Sequence, residues 1–488
     1  MIHRCAVISL VALVVAGCAV KPQPLTQDEI AAFSADRLAR VTANQEPLHG
    51  KVDLYEAMAR AIKYNLDARV EATEASLRLA EADYGQYDML PKLVAGSGYL
   101  GRNNVGGTEN DRDDRDTYTA DLQLSWNILD FGLSYYRAKQ LADKALIQEE
   151  TKRKVVNRLI EDVRTAYWRA ASYQRLVGRM KTLEGRVQRA LADTRHLAAS
   201  AETSPTTALA YERELIQIKR ELGTLEGELL VAKAQLASLM NVPPETDYQV
   251  EVPDKAKIVE IDEHDSVQHL YQIALQNRPE MREVAYELRI NSNEATAAQL
   301  ELLPGINLFG GVDYDSTSSL LSNNWISWGA KASWNLMKFA EYPAHEKVIS
   351  QQDASLDMKS LSVAMAVMTQ VHVSRARFFQ LERQYSTASE LSNVQRRLLN
   401  SVRTEVSEDR SSEQTLIREE MNTLLADAKL DTVYADVQNA YANVYSALGL
   451  DPFPGNLNTN DSVAVVASSL RQMWLERGQG RSLAVAAN

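Results

Sequence analysis

Two of the seven histidines lie in an acidic stretch, which is where metal chemistry would be sought first. His264 and His269 stand among Asp262, Glu263 and Asp265. Imidazole and carboxylate groups are common zinc ligands. The two histidines are five positions apart, however, whereas the helical zinc motif places its histidine pair at i and i+4. We therefore predict no metal site in this stretch.

The rest of the chain offers no set of residues spaced for catalysis. It contains no nucleophile elbow, no phosphate-binding loop and no dinucleotide-binding fingerprint. Each of these motifs would be needed to place a nucleophile or a cofactor phosphate at a defined turn. The sequence predicts no catalytic residues, no cofactor and no enzyme activity.

The clearest chemical signal lies at the N-terminus. Arg4 precedes an apolar run at 6–16, and small residues lead directly to Cys18. A charged start, a short apolar run and small residues before a cut are typical of a secretory signal. Small residues before a cysteine are also typical of bacterial lipoprotein processing. We predict removal of 1–17 and lipidation of Cys18, with Ala19 fitting outer-membrane delivery. An ordinary signal with an incidental cysteine is the alternative.

Charge and composition narrow the class of protein. The 488-residue chain has a formal charge of −12 and two cysteines. Removing 1–17 takes away Arg4 and Cys5, which leaves about −13 and a single cysteine, so no disulfide can form within the mature chain. An acidic chain is a poor nucleic-acid binder, but it would favour cations if its charge lined a pore. No interior apolar run reaches the length of a membrane-spanning helix.

The chain contains the same unit twice, predicted at 52–241 and 267–452. The matching positions, 213 residues apart, are Ala61 and Ala274, Asp67 and Glu280, and the pairs Leu90-Pro91 and Leu303-Pro304. Two strand-like stretches follow each Leu-Pro, and the second ends in Trp126-Asn127 or in Trp334-Asn335. We interpret 18–51 as a lipidated linker, 242–266 as an inter-repeat linker and 453–488 as a C-terminal tail.

Long helical runs follow each Trp-Asn pair. Their apolar residues alternate three and four apart, a heptad seam that indicates coiled-coil packing. A long arm of about 65 residues would span roughly 100 Å, and a shorter return arm follows it. We predict hairpin tips near 198–207 and 405–412, the second capped by Ser411 with Gln414. We also predict one continuous helix before each strand pair, at 52–87 and 267–302.

The four strand-like stretches alternate apolar and polar residues. They are predicted near 93–102, 117–127, 305–315 and 325–335. A soluble half-buried sheet is one interpretation, but about ten residues is also what a tilted transmembrane strand needs. Aromatic residues near the strand ends would form a membrane-interface girdle: Tyr99, Tyr118, Trp126, Trp325 and Trp334. Strands in a bilayer must close into a barrel, so several chains would have to assemble. Three would give about twelve strands, four are geometrically possible, and two would make too narrow a lumen.

Over about 25–452, the chain resembles TolC-like outer-membrane efflux channels of the lipoprotein branch. The resemblance rests on the duplicated unit, the paired Leu-Pro sites and the sequence Trp-Asn-Ile-Leu-Asp-Phe-Gly at 126–132. It implies a mostly α-helical fold with a small β part. A homotrimer would form a 12-stranded barrel among outer-membrane lipids, continued by a periplasmic helical barrel. The resemblance further implies a periplasmic adaptor and an inner-membrane transporter as partners, with no nucleic acid.

The predicted tips depart from the family pattern, in which a glycine, a Ser or Thr and a carboxylate follow at three-residue intervals. Aligning Ser204 with Ser411 places Thr207 and Gln414 at the acidic position and Ala201 and Glu408 at the glycine position. The second tip instead offers Glu405, Glu408, Asp409 and Arg410 as candidates for interchain ion pairs that close the entrance. A solvated charged turn is the alternative.

These observations together predict a passive, gated duct that exports small molecules such as drugs and toxic compounds. A channel for type I protein secretion or for polysaccharide secretion would share the fold. A lipid-anchored periplasmic coiled-coil scaffold without a pore is the alternative from a different class.

Overall fold

The computed structural model is mostly helical, with a small sheet part. It describes residues 22–48, 50–103, 107–108, 111–112, 114–199, 204–243, 245–253, 258–259, 261–262, 265–455 and 457–479. The signal segment and Cys18 lie outside the described residues, as do Glu263, His264 and part of the first tip.

The duplicated unit appears as two series that share two short helices, two long strands, a long helix and a return helix in that order. The first series comprises α1 (Gln27–Arg40), β1 (Lys51–Val52), α2 (Leu54–Tyr64), α3 (Leu66–Gly85), a 3₁₀ turn (Gln86–Met89), β2 (Lys92–Gly101), β3 (Gly107–Thr108), β4 (Asp111–Arg112), β5 (Asp116–Asn127), α4 (Ile128–Ala199), α5 (Pro205–Leu239) and β6 (Gln249–Val250). The second comprises α6 (Val267–Asn277), α7 (Pro279–Leu300), β7 (Gly305–Asp315), β8 (Asn324–Ser333), α8 (Lys338–Ser407), α9 (Glu413–Ala447) and α10 (Val463–Gln479).

The predicted continuous helices before the strand pairs are wrong, because each is broken at the same repeat position. Asn65 leaves the helical conformation and accepts hydrogen bonds from the backbone N–H groups of Asp67 and Ala68, so it caps α3. Its counterpart Arg278 is extended because it precedes Pro279, and proline disfavours the helical conformation in the residue before it.

The four long strands form one antiparallel sheet in the order β2-β5-β7-β8. The pair β5–β7 joins the two repeats, with Trp126 opposite Leu308. The outer strands β2 and β8 have no second neighbour within the described chain. The protomer therefore presents an open sheet with two free edges.

The long helices α4 and α8 have 72 and 70 residues. Near the sheet α4 packs against α3 and α7, and further along it packs against α5 and α9. The heptad seam is buried at these contacts, as at Val163 and Ala170. Two short helices placed end to end thus run beside one long helix.

A belt of short elements surrounds the middle of the helical body. The parallel pair β1–β6 ties the start of the first repeat to its end. Helix α10, from the predicted tail, packs on α2 and buries Leu470 and Trp474. The Glu46 carboxylate accepts hydrogen bonds from the Val463 N–H and from Lys63, which fixes the start of α10.

Candidate functional site: the sheet faces and the helical tips

One face of the sheet is apolar and exposed. The strand register places Leu93, Leu124 and Gly310 side by side, and it likewise aligns Ala95 and Leu122 with Val312. Further along the same face Ile326 is 74% and Trp328 is 83% exposed, so no core covers this surface within the protomer. Asp116 is the single charged residue among the described members of this face, and it lies at the far end, where the Tyr99 hydroxyl donates to it.

The opposite face is polar and open. Asp121 on β5 lies directly across from Asp313 on β7, and the Ser327 hydroxyl donates to Asp313 over 2.6 Å. Gly96 leaves room for this arrangement, since a Cβ on it would lie 2.4 Å from an Asp121 carboxylate oxygen. Lys92 and Lys331 lie on this face near the helical end. The sheet therefore separates an apolar face from a more polar, carboxylate-bearing one.

The aromatic residues predicted as a girdle divide between these faces. Tyr99 pairs with Tyr118 at the far end of the apolar face, and Trp126 lies near its helical end. Trp334 follows β8, and its indole N–H donates to the Leu302 carbonyl. Trp325 lies opposite Asp313 on the polar face, because side chains alternate along a strand, and its placement in the girdle is a correction to the prediction.

Two apolar-face aromatics missing from the predicted girdle are Tyr314 and Trp328. The strict alternation of β7 and β8 contains the signal for both, because each is an even-numbered residue in a series of apolar even-numbered residues. Position relative to the strand ends cannot tell one face of a sheet from the other.

The junction between sheet and helices repeats the same aromatic contact. Trp126 packs edge-on against Phe131 with ring centroids 5.7 Å apart, and Trp334 packs against Phe339 at 5.8 Å. All four rings are at least partly exposed. This ring of aromatics marks the level at which the strands give way to helices.

The second tip is a tight turn in which Asp409 has a backbone role. Its φ is +57°, the left-handed conformation that glycine usually occupies after a helix. The Arg410 N–H donates to the Glu405 carbonyl over 2.8 Å, and the Asp409 N–H donates to the Val406 carbonyl over 3.1 Å. These two bonds form a Schellman motif that ends α8. Glu408 and Arg410 form an ion pair with each other across the turn.

The predicted cap of the return helix is displaced by one residue. Ser412, not Ser411, begins α9, and its hydroxyl accepts from the Thr415 N–H over 3.2 Å. Because Ser204 is the corresponding cap of α5, the repeats align Thr207 with Thr415 rather than with Gln414. The predicted capping box between Ser411 and Gln414 is therefore wrong.

Gln414 instead links the two repeats. Its amide donates to the Glu214 carboxylate over 2.8 Å, and Arg186 lies 3.6 Å from Glu413 beside it. Thr207 is exposed in the first turn of α5, whereas Ala201 lies outside the described residues. The structure thus brings Glu405, Glu408, Asp409 and Arg410 together in one turn and leaves Gln414 and Thr207 on separate return helices.

A ladder of ion pairs connects α4 with α9 above the tips. Arg175 pairs with Asp431 at 2.5 Å, Arg179 pairs with Asp427, and Arg186 pairs with Glu420 at 2.8 Å. These pairs are spaced as expected for two antiparallel helices in fixed register.

Asp427 is the central member of this ladder and also accepts hydrogen bonds from Ser392 and Arg396 on α8. Burial opposes its ionisation, but the hydrogen bonds from Arg179, Ser392 and Arg396 outweigh this effect and hold its pKa below the usual value.

The structure also bears on the acidic histidine stretch. Within the described residues no group of three or more His, Cys, Asp or Glu side chains could hold a metal ion. His269 is exposed on α6, while His264 and Glu263 lie outside the described part. Among the helices of that part, none has the length and apolarity needed to cross a bilayer.

Comparison with known proteins gives one relative by sequence. The probable outer membrane lipoprotein SilC of Salmonella typhimurium is 26% identical over 293 residues, which are 59% of this chain and 60% of SilC. The chain thus matches about three fifths of the length of this curated relative. No family model matches the chain.

Solved structures match more widely. The CmeC outer membrane channel of Campylobacter jejuni has a TM-score of 0.66 at 13% identity, covering 92% of this chain and 97% of CmeC. The outer-membrane channel OprN gives 0.65 at 16%, covering 81% and 89%. CusC, whose structures concern transmembrane channel formation, gives 0.63 at 19%, covering 83% and 95%.

The fold, with its two-faced sheet and long helical hairpins, is the one found in these solved outer-membrane channels. The chain has the TolC-like fold, and the resemblance found in its sequence is confirmed.

Proposed function

We propose that this chain is one protomer of a trimeric outer-membrane duct that exports small molecules. The observation that carries the proposal is the uncovered apolar sheet face, which continues directly into helices too long for any compact domain. Each strand of the sheet has between 10 and 12 residues. Tilted strands of this length match an apolar band about 25 Å tall.

The free edges of β2 and β8 support assembly. Backbone groups inside a bilayer cannot remain unpaired, so a membrane sheet must close on itself. Four strands cannot enclose a lumen, whereas three copies supply about twelve, which lies within the range of known barrels. The exposed apolar face would then meet lipid, and the face with Asp121 and Asp313 would line the lumen.

The helices extend the same tube away from the membrane. A helix of 72 residues is roughly 108 Å long at 1.5 Å per residue. In the trimer, long and paired short helices would alternate around the axis and enclose a periplasmic passage. The lipid on Cys18 would add a second anchor to the outer membrane.

Transport through this duct is passive in our proposal. A periplasmic adaptor would dock at the hairpin tips and link them to an inner-membrane pump, and the cargo would cross chemically unchanged. The turn at Glu405, Glu408, Asp409 and Arg410 would form the entrance in three copies. The ion pair between Glu408 and Arg410 within one turn means that interchain closure would have to compete with it.

The proposed duct and a lipid-anchored scaffold can be distinguished by whether the protein stays in the membrane when its lipidation site is removed. A Cys18→Ala variant behind a conventional signal peptide should remain in outer-membrane fractions after alkaline carbonate washing, because the barrel holds it there. The unaltered protein serves as the control. Release of the variant into the wash would contradict the duct and favour the scaffold.

A further inference from the structure

A cavity of about 520 Å³ lies in the belt around the helical body, between α4, α9 and α10. This volume is within the range of about 300–1,000 Å³ that small-molecule sites occupy. Its walls are aromatic, with Tyr55, Trp168, Tyr434 and Trp474 among the lining residues. The cavity is remote from both the sheet and the tips, so the proposed duct gives it no role.

A buried guanidinium faces this cavity. Arg164 on α4 is 4% exposed, donates one hydrogen bond to the Gln438 carbonyl over 2.9 Å, and lies 4.6 Å from the centre of the Trp474 ring. Its Nε has no hydrogen-bond partner. Across the described residues no carboxylate forms an ion pair with it, in contrast to Arg175 and Arg179 further along the same helix.

The other unsatisfied groups in the wall are also donors. The indole N–H groups of Trp168 and Trp474 are buried and have no hydrogen-bond partner. Together with the Arg164 Nε they leave three donors without an acceptor around one cavity. Buried donors are usually satisfied, because leaving one without a hydrogen-bond partner is destabilising.

The charge at this site is also uncompensated. Burial lowers the pKa of Arg164 to about 10, so the side chain remains charged at neutral pH. A buried charge without a counter-ion is strongly unfavourable. At the mouth of the cavity Arg471 is paired with Asp53, so that pair contributes no net charge. Glu251 also lines the cavity, but it is exposed and forms no ion pair with Arg164, so the buried guanidinium keeps no counter-ion among the described side chains.

We propose that this cavity binds an organic monoanion, a carboxylate carried on an aromatic or aliphatic body. The carboxylate would accept hydrogen bonds from Arg164 and from an indole N–H, and the apolar body would lie among the rings of Tyr55, Trp168 and Trp474. The buried guanidinium without a counter-ion favours an anionic group, the exposed Glu251 disfavours a second negative charge, and the aromatic walls favour an apolar body over a hydrated one.

The test is equilibrium binding of 2-naphthoate to the purified full-length protein in detergent, with a protein-free micelle blank. The neutral isostere 2-naphthalenemethanol is the matched control ligand. We expect naphthoate to bind and the alcohol to bind at least about tenfold more weakly, because the latter cannot form charge-assisted hydrogen bonds. Equal affinity for the two ligands would overturn the proposal.

Substitutions of Arg164 and Arg471 test which of the two positive charges binds the carboxylate of the ligand. Arg164→Met should weaken naphthoate binding by about tenfold or more, whereas Arg471→Met at the mouth should change it little. The Arg164→Lys variant keeps the positive charge and should bind naphthoate with intermediate affinity. Such partial binding would show that the weaker binding of Arg164→Met is not caused by misfolding. Naphthoate binding that survives Arg164→Met, or that Arg471→Met removes instead, would contradict the assignment.

A carboxylate of the chain itself is the competing occupant. Asp254 and Glu260 adjoin the lining residues Pro253 and Val259 but lie outside the described residues. In a double variant, Asp254→Asn with Glu260→Gln, unchanged naphthoate affinity supports an exogenous ligand. Binding that appears solely in this double variant would show that an internal carboxylate fills the site, and would overturn the proposal.

Discussion

At the scale of single residues, Asp409 shows how a charge in a functional turn can be set by backbone geometry. The sequence indicates Asp409 as a gate charge, whereas the structure places it in the left-handed position of a Schellman motif. Aspartate tolerates this conformation better than most residues, although glycine occupies it without steric cost. The two roles can be separated, because glycine removes the charge and keeps the turn.

We therefore predict that Asp409→Gly keeps or raises the stability of the second tip, by up to about 1 kcal/mol. Asp409→Asn should be close to neutral, since asparagine also adopts positive φ. Thermal denaturation of the purified protein measures the change. Asp409→Val is the contrasting variant and should destabilise the tip, because a β-branched residue is strained there. If glycine destabilised as much as valine, the assigned backbone role would be wrong.

Gly449 occupies the corresponding position after α9, with φ of +75°. A Cβ there would lie 2.5 Å from the Asn277 carbonyl carbon and 2.6 Å from the Arg278 nitrogen. Both contacts are with backbone at the break between α6 and α7, which cannot move without disturbing the repeat.

We predict that Gly449→Ala lowers the free energy of unfolding by about 2 kcal/mol or more, from strain and overpacking combined. Gly455→Ala is the matched control, because a Cβ at that position meets nothing within 4 Å. Apparent melting temperatures of the two variants give the comparison. Equal melting temperatures would contradict the close packing at this break.

Among the residues of the site, the sequence predicts the aromatic character of the sheet better than its distribution between faces. Trp325 and Trp328 are three positions apart and therefore point to opposite faces of β8. The alternating pattern contains this information. The displaced cap at Ser412 is different, because adjacent serines offer equivalent caps and tertiary packing chooses between them.

At the scale of elements, the ion-pair ladder fixes the register of α4 against α9. Asp427 joins three helices through Arg179, Ser392 and Arg396. Heptad seams are degenerate, because shifting a helix by one heptad preserves the apolar contact. Charged partners at defined positions remove that degeneracy.

We predict that Asp427→Asn destabilises the protein by about 1–2 kcal/mol at neutral pH, since the charged acceptor is lost. Because the folded pKa of Asp427 is depressed, its contribution is present above the unfolded value of 3.8 and is lost as pH falls through the lower folded pKa. The difference between the original protein and the variant should therefore be constant at neutral pH and narrow below about pH 3.8.

Thermal denaturation across this pH range tests the ladder, with the exposed Asp357→Asn as control. A stability difference that persists unchanged into strong acid would rule out the ionised Asp427 as its source.

The helices themselves are well predicted from the sequence, because a heptad pattern is local and repeats over many turns. The break at Arg278 has a local signal in the following Pro279. Asn65 lacks such a signal, since its capping role depends on the chain turning there. Element types therefore follow from local pattern, whereas breaks set by packing require the three-dimensional structure.

At the scale of the whole molecule, the free edges of β2 and β8 are the feature on which the proposed assembly of several copies depends. Strand β2 begins beside the helices just after Leu90-Pro91, and β8 ends beside them just before Trp334-Asn335. In a closed barrel, Leu93 of one copy should therefore lie at the same height as Ala332 of the next. The sequence has two cysteines, Cys5 and Cys18, and the predicted removal of 1–17 would leave Cys18 alone, so an engineered pair would be chemically distinct.

We predict that Leu93→Cys combined with Ala332→Cys, or with Ala330→Cys to allow for register, forms interchain disulfides under mild oxidation. Denaturing gels should show dimers and trimers and no larger species, because a three-membered ring closes. Leu93→Cys with Ala120→Cys is the control, since Ala120 lies on an inner strand. A ladder ending at two or at four copies would contradict the trimer.

Contacts between residues far apart in the sequence are not predicted by its local patterns. Arg164 and Trp474 meet across 310 positions, and no periodicity connects them. The repeat predicts what each unit looks like, but the belt and its cavity arise where the units differ, at α10 and the segment after β6. Such sites depend on tertiary contacts that local patterns do not encode.

Single-channel conductance of the purified protein in a planar lipid bilayer tests the central claim most directly. We predict discrete, long-lived conductance steps with a preference for cations, since Asp121 and Asp313 would line the lumen. A resting duct would give small steps that grow when Glu405, Asp409 and Arg410 are neutralised. Verified insertion without any conductance, in both the original protein and the neutralised variant, would contradict the duct.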